Sequence, residues 1–249
     1  MNSSKRRIRV AGRTGQRANG PTGRPIIVTI DGPAGVGKST VAKLLAKTLG
    51  VMYLDTGATY RALAYAAVKA ELNPITDAKR LATLARHLPL QLRLTDRGEL
   101  KVMLDGADVT TRIRTEEVSE AAAQVSQYPE VRAALVELQR KLANRHGVVI
   151  EGRDTGSVVF PDAAHKFFLD ADPAVRAQRR QLELAQLYGV RPPLVQVREQ
   201  LHFRDSLDRN RRVGPLVRPA GAIVIDTSRR SAAEVVRVML RRIQRSRAS

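Results

Sequence analysis

Hydrophobic residues recur along this chain at two different spacings, and the changes in spacing mark its elements. An unbroken apolar run begins at Ile26, as in a buried parallel strand. After a glycine-rich stretch, apolar residues return at helical spacing: Val41, Leu44, Leu45 and Leu49. Gly50 stands where a helix would end. The pattern predicts a strand, a glycine-rich loop and a helix over residues 26–49.

Similar strand and helix patterns continue to the end of the chain. Short buried strands are predicted to end at Asp55 and to cover 148–150, 167–169 and 223–226. Helices are predicted over 59–69, over 77–88 with Thr76 as N-cap, from Thr115, from Pro129, after a cap at Asp172, over 194–212 and from Ser231 onward. Five buried strands separated by helices predict an α/β fold with a five-stranded parallel sheet and helices on both faces.

One segment departs from this organisation and shows a period of two. Leu90, Leu92 and Leu94 alternate with polar residues, as do Leu100, Val102 and Leu104 after a turn at 96–98. We therefore predict a small antiparallel hairpin or meander inside the α/β chain.

The glycine-rich loop matches Gly-x-x-x-x-Gly-Lys-Ser, with Gly32, Gly37, Lys38 and Ser39 at the defining places. In this arrangement backbone N–H groups at a helix N-terminus face phosphates, the lysine reaches the β and γ oxygens, and the serine hydroxyl binds Mg²⁺. We predict nucleoside triphosphate binding by residues 32–40, which are Gly32, Pro33, Ala34, Gly35, Val36, Gly37, Lys38, Ser39 and Thr40.

Composition narrows the class of protein further. The 249 residues contain no cysteine, which excludes disulfides and thiolate metal sites and suits a cytoplasmic location. No apolar run approaches the ~18 residues of a membrane span, and the basic N-terminus lacks the apolar segment of a secretory signal. We expect a protein of the cytoplasm that has no membrane contact.

The net charge of +19 is concentrated at the ends of the chain. Residues 1–24 carry seven Lys or Arg and no acid, and residues 229–249 carry seven Arg and one Glu, which leaves +6 for residues 25–228. Neither end contains an aromatic residue on which a base could stack. We interpret the first 24 residues as a disordered basic tail and the last helix as a solvated basic face, so a nucleic-acid partner is disfavoured.

The remaining polar residues favour a kinase. Regulatory GTPases share the loop, but their Asp-x-x-Gly and Asn/Thr-Lys-x-Asp patterns do not occur in this chain. Arginines are instead scattered through the polar segments. When a phosphate acceptor approaches the γ-phosphate of ATP, the two anionic groups repel each other. Mg²⁺ and several cationic side chains are needed to offset this repulsion. A phosphate monoester is already anionic at neutral pH, so no strong general base is required.

Several motifs together resemble the bacterial cytidylate kinase family over residues 26–228. They are Ile30–Thr40, Leu54–Arg61, Ile113–Thr115, Gly152–Gly156, Val158–Ala163, Arg204-Asp205 and Asp208–Arg211 before Pro215-Leu216. The resemblance implies a P-loop kinase fold that transfers the γ-phosphate of ATP to CMP or dCMP with Mg²⁺. It also implies a kinase domain over 25–249, with an insert at about 75–110 and a mobile lid at about 173–200.

The resemblance also implies roles for individual residues. Thr56 and Arg61 should hold the acceptor phosphate together with Arg153. Arg132 and Asp154 should recognise the cytosine, because a carboxylate can accept a hydrogen bond from its exocyclic amine. Arg204, Asp208 and Arg211 should contact the ribose and nucleotide. Lys38, Arg153, Arg176 and Arg180 should stabilise the transferring phosphate, the last two when the lid closes.

One position departs from the family pattern. Many members have a serine before Gln-Val that contacts the base, and here Ala123 replaces it. Ser126 lies one turn further along the same predicted helix. The substitution weakens the case for sharp cytosine selectivity, although Asp154 and Arg132 remain.

Two other functions stay open at this point. A P-loop kinase for another small acceptor, such as shikimate or gluconate, shares the phosphate loop but is usually shorter and lacks the period-two segment. A basic RNA-binding ATPase would use the charged ends as its interface. We expect ATP and CMP or dCMP as the ligands and a monomer as the assembly.

Overall fold

The computed structural model describes residues 25–94, 100–143 and 147–248, which form two compact units. The smaller unit comprises residues 57–138, and the larger unit comprises residues 25–56 and 139–248. Within the described ranges, no helix has both the length and the apolar character needed to cross a membrane. The predicted basic tail, residues 1–24, lies outside the described residues.

The larger unit is built on a parallel sheet of five strands, as predicted. The strands are β1 (Ile27–Asp31), β2 (Met52–Asp55), β6 (Val148–Gly152), β7 (His165–Asp170) and β8 (Ile223–Asp226). Their order is β2-β6-β1-β7-β8, which places β1 at the centre. The chain fills one side of β1 and then the other, so the carboxyl ends of β1, β6 and β7 meet at a topological switch point.

Helices connect these strands. The larger unit contains α1 (Lys38–Leu49), α6 (Pro173–Tyr188), α7 (Leu194–Asn210) and α8 (Ala232–Ala248). Two further helices carry the chain between the units, α2 (Thr56–Lys69) and α5 (Pro129–Ala143). Helix α8 packs on α1 through its apolar stripe, in which Val235, Met239 and Ile243 are buried.

Helix α1 begins directly after Gly37 and ends directly before Gly50, as the glycine positions in the sequence indicated. Gly37 and Gly50 have φ of 88° and 65°, left-handed values that favour glycine on each side of the helix. Gly32 is required for a different reason, because a Cβ there would lie 2.2 Å from the carbonyl oxygen of Leu169 on β7. This close approach lets the loop after β1 turn directly over the neighbouring strand.

The smaller unit contains the predicted meander. Strands β3 (Leu90–Leu94), β4 (Leu100–Leu104) and β5 (Ala107–Asp108) form an antiparallel sheet. Its register pairs Leu90 with Leu104, and both side chains are buried on one face. The predicted turn at 96–98 lies outside the described residues. The insert at about 75–110 and the lid at about 173–200 stay predictions.

Of three N-caps predicted from the sequence, the structure confirms two and shows that one was wrong. Helix α3 (Ala78–Arg86) is shorter than predicted and has Asp77, not Thr76, at its N-cap position. The Asp77 carboxylate does not cap the helix but accepts from the Asn73 N–H in the preceding turn. Helix α4 (Glu116–Val125) begins as predicted, with the Thr115 hydroxyl accepting from the Val118 N–H. At the start of α6, Asp172 accepts from the Ala174 N–H, also as predicted.

The buried hydroxyl of Thr29 on β1 gives a test of the core. This side chain is fully buried, and its oxygen has no hydrogen-bond partner within the structure. Because a buried hydroxyl without a partner destabilises a fold, we expect Thr29→Val to leave the free energy of unfolding unchanged or to raise it by about 1 kcal/mol. Urea unfolding monitored by circular dichroism measures it. A clear loss of stability would contradict this reading of the hydroxyl.

Candidate active site

Three chain segments of the larger unit meet at the carboxyl edge of its sheet. They are the phosphate loop (residues 32–37) after β1, the end of β2, and the Gly152 loop (residues 152–159) that begins as β6 ends. The register sets Asp31 opposite Gly152 and Asp55 opposite Glu151. Parallel pairing therefore brings the glycine-rich motif and the Gly-Arg-Asp-x-Gly motif to one edge.

Lys38 is buried at the base of the phosphate loop. Its ammonium donates to the carbonyl of Pro33 at 2.7 Å, and only 6% of the residue is exposed. Burial and the nearby charge of Arg153 lower the pKa of Lys38 to about 7. Bound phosphates would supply the negative charge that restores a high pKa, so the lysine suits an anion that enters the loop.

Glu151 is a site residue that sequence analysis missed. It is the next-to-last residue of β6, accepts from the Tyr53 hydroxyl at 2.8 Å and is hydrogen-bonded to the Ser39 side chain. Burial, with the charge of Asp55 second, raises the pKa of Glu151. Its place directly before Gly-Arg-Asp, at the end of a predicted strand, is the signal that points to it. Glu151 therefore sets a buried carboxylate beside Ser39, close enough to Asp55 for the two acidic groups to interact.

Helices α6 and α7 bind the backbone of the phosphate loop. Arg176 donates to the Ala34 carbonyl at 3.1 Å and pairs with Asp205, whose other oxygen accepts from the Ala34 N–H at 3.2 Å. Arg176 and Asp205 are both buried. The arginine predicted to reach the transferring phosphate is thus held against the loop in this conformation.

The two arginines that follow on α6 have different partners. Arg179, which sequence analysis did not place in the site, donates to the Thr227 hydroxyl at 3.0 Å and to its carbonyl at 2.7 Å. The Thr227 hydroxyl in turn donates to the Val36 carbonyl at 2.9 Å. Arg180, which was assigned to the site, pairs with Glu183 at 2.9 Å. Helical spacing alone could not tell the two arginines apart.

The Gly152 loop carries a chain of alternating charges. Arg153 donates to one oxygen of Asp208 at 2.7 Å, and Arg211 donates to the other at 3.2 Å. Arg211 also lies 4.0 Å from the carboxylate of Asp154. These four residues come from two distant motifs, which the fold brings together.

The pairing decides the charge of these groups. Burial alone would raise the pKa of Asp208, but Arg153 and Arg211 outweigh it and hold that pKa below its usual range. Burial alone would lower the pKa of Arg153, but Asp208 raises it instead. Both groups therefore stay ionised when they are largely removed from water.

Two other predicted residues of the larger unit lie close to these charges. The Thr56 hydroxyl donates to the carbonyl of Glu151 at 2.8 Å. Gly152 packs closely against Thr56, because a Cβ on Gly152 would lie 2.4 Å from the Thr56 hydroxyl oxygen. Arg204 is half-buried on α7 and contributes to the electrostatics of both Lys38 and Asp208.

The remaining predicted residues lie in the smaller unit. Arg132 is 98% buried, with its guanidinium 5.4 Å from the Tyr60 ring centre and one nitrogen 3.3 Å from the Ser126 carbonyl. The Ser126 hydroxyl donates to the carbonyl of Ala123 within its own helix. Arg61 is half-buried on α2. Arg132 is therefore a buried side chain with partners inside the smaller unit and not a solvated helix arginine.

A family model described as Cytidylate kinase matches residues 28–245. The chain belongs to the cytidylate kinase family. Proteins named cytidylate kinase from Pelotomaculum thermopropionicum and Symbiobacterium thermophilum are 46% and 44% identical to it. Those alignments cover 88% and 90% of this chain and 96% and 98% of the relatives. Cytidylate kinase 1 of Haemophilus influenzae is 42% identical, over 88% of this chain and 94% of its own.

Membership of the cytidylate kinase family confirms the resemblance drawn from the motifs. Among solved structures, a gluconokinase from Sinorhizobium meliloti 1021 aligns at 19% identity over 89% of this chain and 93% of its own. Its TM-score of 0.44 is too low to bear on function. The roles assigned to individual residues stay predictions.

The pairing of Asp208 with two arginines predicts its contribution to stability. We expect Asp208→Asn to lower the free energy of unfolding by about 3 kcal/mol, because removing one partner from a buried ion pair leaves the other charge uncompensated. Urea unfolding at neutral pH measures it. Because the folded-state pKa of Asp208 is lowered, its charge stabilises the fold above the unfolded-state pKa of 3.8 and loses that effect as the pH falls through the folded-state value.

The matched control is Asp162→Asn, which changes the same side chain at an exposed loop position. It should leave unfolding unchanged. Equal behaviour of the two variants would mean that the Asp208 network does not stabilise the fold.

Proposed function

We propose that this protein transfers the γ-phosphate of ATP to CMP or dCMP, giving ADP and CDP or dCDP. The observation that carries the proposal is the meeting of the phosphate loop with the charged chain Arg153–Asp208–Arg211–Asp154 at one sheet edge. Relatives named cytidylate kinase across nearly the whole chain support it.

The donor nucleotide would bind at residues 32–40. There the N-terminus of α1 and the loop N–H groups suit the β and γ phosphates, and Lys38 lies buried beside them. Its ammonium would exchange the Pro33 carbonyl for a phosphate oxygen. This exchange would return Lys38 to its charged form at neutral pH.

We propose Mg²⁺ as the accompanying cation, with the Ser39 hydroxyl as its protein ligand. The residues present fit a divalent ion, because the buried Glu151 carboxylate is hydrogen-bonded to Ser39 and lies close enough to Asp55 for the two acidic groups to interact. Hard oxygen donors are also what Mg²⁺ prefers. When bound with ATP, the ion neutralises charge on the phosphate oxygens.

The acceptor roles follow the family motifs. In the larger unit, Thr56 and Arg153 would hold the phosphate of CMP, and Asp154 would accept from the cytosine amine. Arg204, Asp208 and Arg211 would orient the sugar and nucleotide. The roles of Arg61 and Arg132, in the smaller unit, are proposed on the same basis.

The chemistry that these residues support is positioning and charge stabilisation. The acceptor phosphate is its own nucleophile, since its second proton leaves near pH ~6. Arg153 is held by Asp208 before the substrates arrive and offers positive charge where negative charge accumulates. Lys38 adds to that charge once the donor phosphates have raised its pKa. Arg176 and Arg180 on α6 would add to this charge if the lid closes.

The competing functions have less support. A kinase for another small acceptor, or a basic RNA-binding ATPase, does not account for the family match over residues 28–245. Production of ADP with CMP, UMP, AMP, shikimate and RNA offered separately would distinguish these functions. A cytoplasmic location, a monomer and a solvated basic tail are further proposals, and the absence of cysteine suits the first.

Lys38→Ala tests the donor site. We expect phosphoryl transfer to be lost, because the lysine supplies charge at the phosphates, while the fold survives because an ammonium removed from water contributes little to stability. Coupled ADP release with CMP measures the activity, and circular dichroism measures the fold. Lys43→Ala, on the exposed face of the same helix, is the control. Near wild-type turnover of Lys38→Ala would mean that the phosphate site lies elsewhere.

The order of acceptors tests Asp154. We expect CMP and dCMP to react well ahead of UMP, whose carbonyl would face the carboxylate where cytosine offers an amine. A buried acceptor without a donor costs ~1–3 kcal/mol, which is about ten- to a hundredfold in kcat/KM. Ala123 removes one base contact of the family, so the ratio should lie at the lower end of that range.

The measurement is kcat/KM for CMP and UMP in the wild type and in Asp154→Ala. We expect the variant to lose most of the discrimination. If the wild type treats both nucleotides alike, or if the variant keeps full discrimination, Asp154 does not read the base.

A further inference from the structure

Asp31 binds the Gly152 loop through both of its carboxylate oxygens. One oxygen accepts from the Thr155 N–H and from the Thr155 hydroxyl, each at 2.8 Å. The other accepts from the Gly156 N–H, also at 2.8 Å. Asp31 is the last residue of β1 and is completely buried. A single side chain thus holds two consecutive residues of the loop.

The ionised form of this carboxylate is costly to keep. Burial raises the pKa of Asp31 from 3.8 to about 6, and the charge of Asp154 adds to the rise. No arginine or lysine forms an ion pair with Asp31 in the part of the chain that the structure describes. At neutral pH the protein therefore retains a buried anion that only hydrogen bonds stabilise. Such a group is more typical of a functional site than of a core.

The other end of the same loop is held by a cation. Residues 155–159 form one wide helical turn, and Arg140 on α5 donates to the carbonyls of Val158 and Val159 at 2.8 Å. An anion therefore binds the N–H groups at the start of the turn, and a cation binds the carbonyls at its end. This is the favourable sense for a helical dipole.

Close packing leaves the loop little room to move toward β1. A Cβ on Gly156 would lie 2.7 Å from the Thr29 hydroxyl oxygen and 3.3 Å from the Asp31 carboxylate. Arg153 and Asp154 directly precede the residues that Asp31 binds. Any shift of Thr155 would therefore move the backbone from which these two side chains project.

We propose that Asp31 is a positioning residue for acceptor recognition, because its carboxylate fixes the backbone that presents Arg153 and Asp154. The proposal rests on the proposed function and adds a residue whose carboxylate is occupied by Thr155 and Gly156. It also gives Asp31 a task separate from the phosphate loop that follows it, since the carboxylate is directed at the Gly152 loop.

The first test is Asp31→Asn, in which an amide group would face N–H donors. We expect the ratio of kcat/KM for CMP to that for UMP to fall about tenfold, the change typical of one mismatched buried polar group. KM for CMP should rise while KM for ATP stays near its wild-type value. Asp162→Asn, the same change at an exposed position, is the control and should keep the wild-type ratio.

A second readout does not depend on catalysis. Amide hydrogen exchange in the peptide covering 153–159 should be faster in Asp31→Asn than in the wild type, with no change in α1. Thr155→Val removes only the hydroxyl donor to Asp31 and should move both readouts in the same direction by a smaller amount. If Asp31→Asn does not fold, Thr155→Val decides the question.

The pH dependence separates positioning from general damage. Gly152 and Phe168, which pair with Asp31 on the neighbouring strands, do not titrate, so Asp154 is the charged group that faces it. As the pH falls through about 6, protonation of Asp31 should raise KM for CMP in the wild type. CMP itself titrates near pH ~6 in every variant, so the additional rise must be absent in Asp31→Asn.

The outcomes are distinct. A wild-type enzyme that does not phosphorylate CMP overturns the proposed function, and the exchange experiment then still tests whether Asp31 orders the loop. An active wild type whose folded Asp31→Asn and Thr155→Val variants keep the CMP-to-UMP ratio and the exchange rate overturns the positioning role. A large rise in KM for ATP alone in Asp31→Asn would overturn it as well, because the effect would then lie in the phosphate loop.

Discussion

The phosphate loop keeps its shape because side chains on other elements bind its backbone carbonyls. Arg176 and Thr227 donate to the carbonyls of Ala34 and Val36 at 3.1 and 2.9 Å. A trans peptide places its carbonyl and the following N–H on opposite sides, so a carbonyl fixed on one side directs that N–H to the other. The loop is thereby arranged for an anion before one binds, which is the preorganisation that phosphoryl transfer requires. Strand β1, helix α1 and the start of α6 are all placed by this requirement.

The charges around the loop are incompletely balanced, and the imbalance matches the ligands. Burial displaces the pKa of Lys38 downward and that of Glu151 upward, so each group is shifted toward its neutral form. Phosphates would compensate the first and a divalent cation the second. Arg153 and Asp208 are different, because each holds the other in its ionised form. In the larger unit, burial therefore shifts Lys38 and Glu151 toward their neutral forms, whereas Arg153 and Asp208 keep each other charged.

Arginines illustrate how one residue type divides into several tasks. Arg176 supports the phosphate loop directly and Arg179 supports it through Thr227, while Arg153 is held by Asp208 close to Lys38. Arg140 closes the far end of the Gly152 loop, and Arg180 pairs within its own helix. Part of the basic composition is therefore used for internal support. In this site, guanidinium groups are useful because one side chain can bind two acceptors at a fixed angle.

Local patterns in the sequence predicted the five parallel strands, the meander, the caps at Thr115 and Asp172, and the phosphate loop. These features depend on neighbours within a few residues, so spacing and residue type are sufficient to predict them. The motifs also indicated the family, because several short patterns occur together in one order. The tertiary structure alone decided which polar groups meet: the Ala34 N–H with Asp205, which are 171 residues apart, and Arg153 with Asp208, which are 55 apart. The structure also identified Glu151, Arg179 and Asp31 as residues that support the site, on the evidence of their burial and their hydrogen-bond partners. Hydrogen bonds and ion pairs between distant residues depend on the register of strands and the packing of helices, which no local pattern contains.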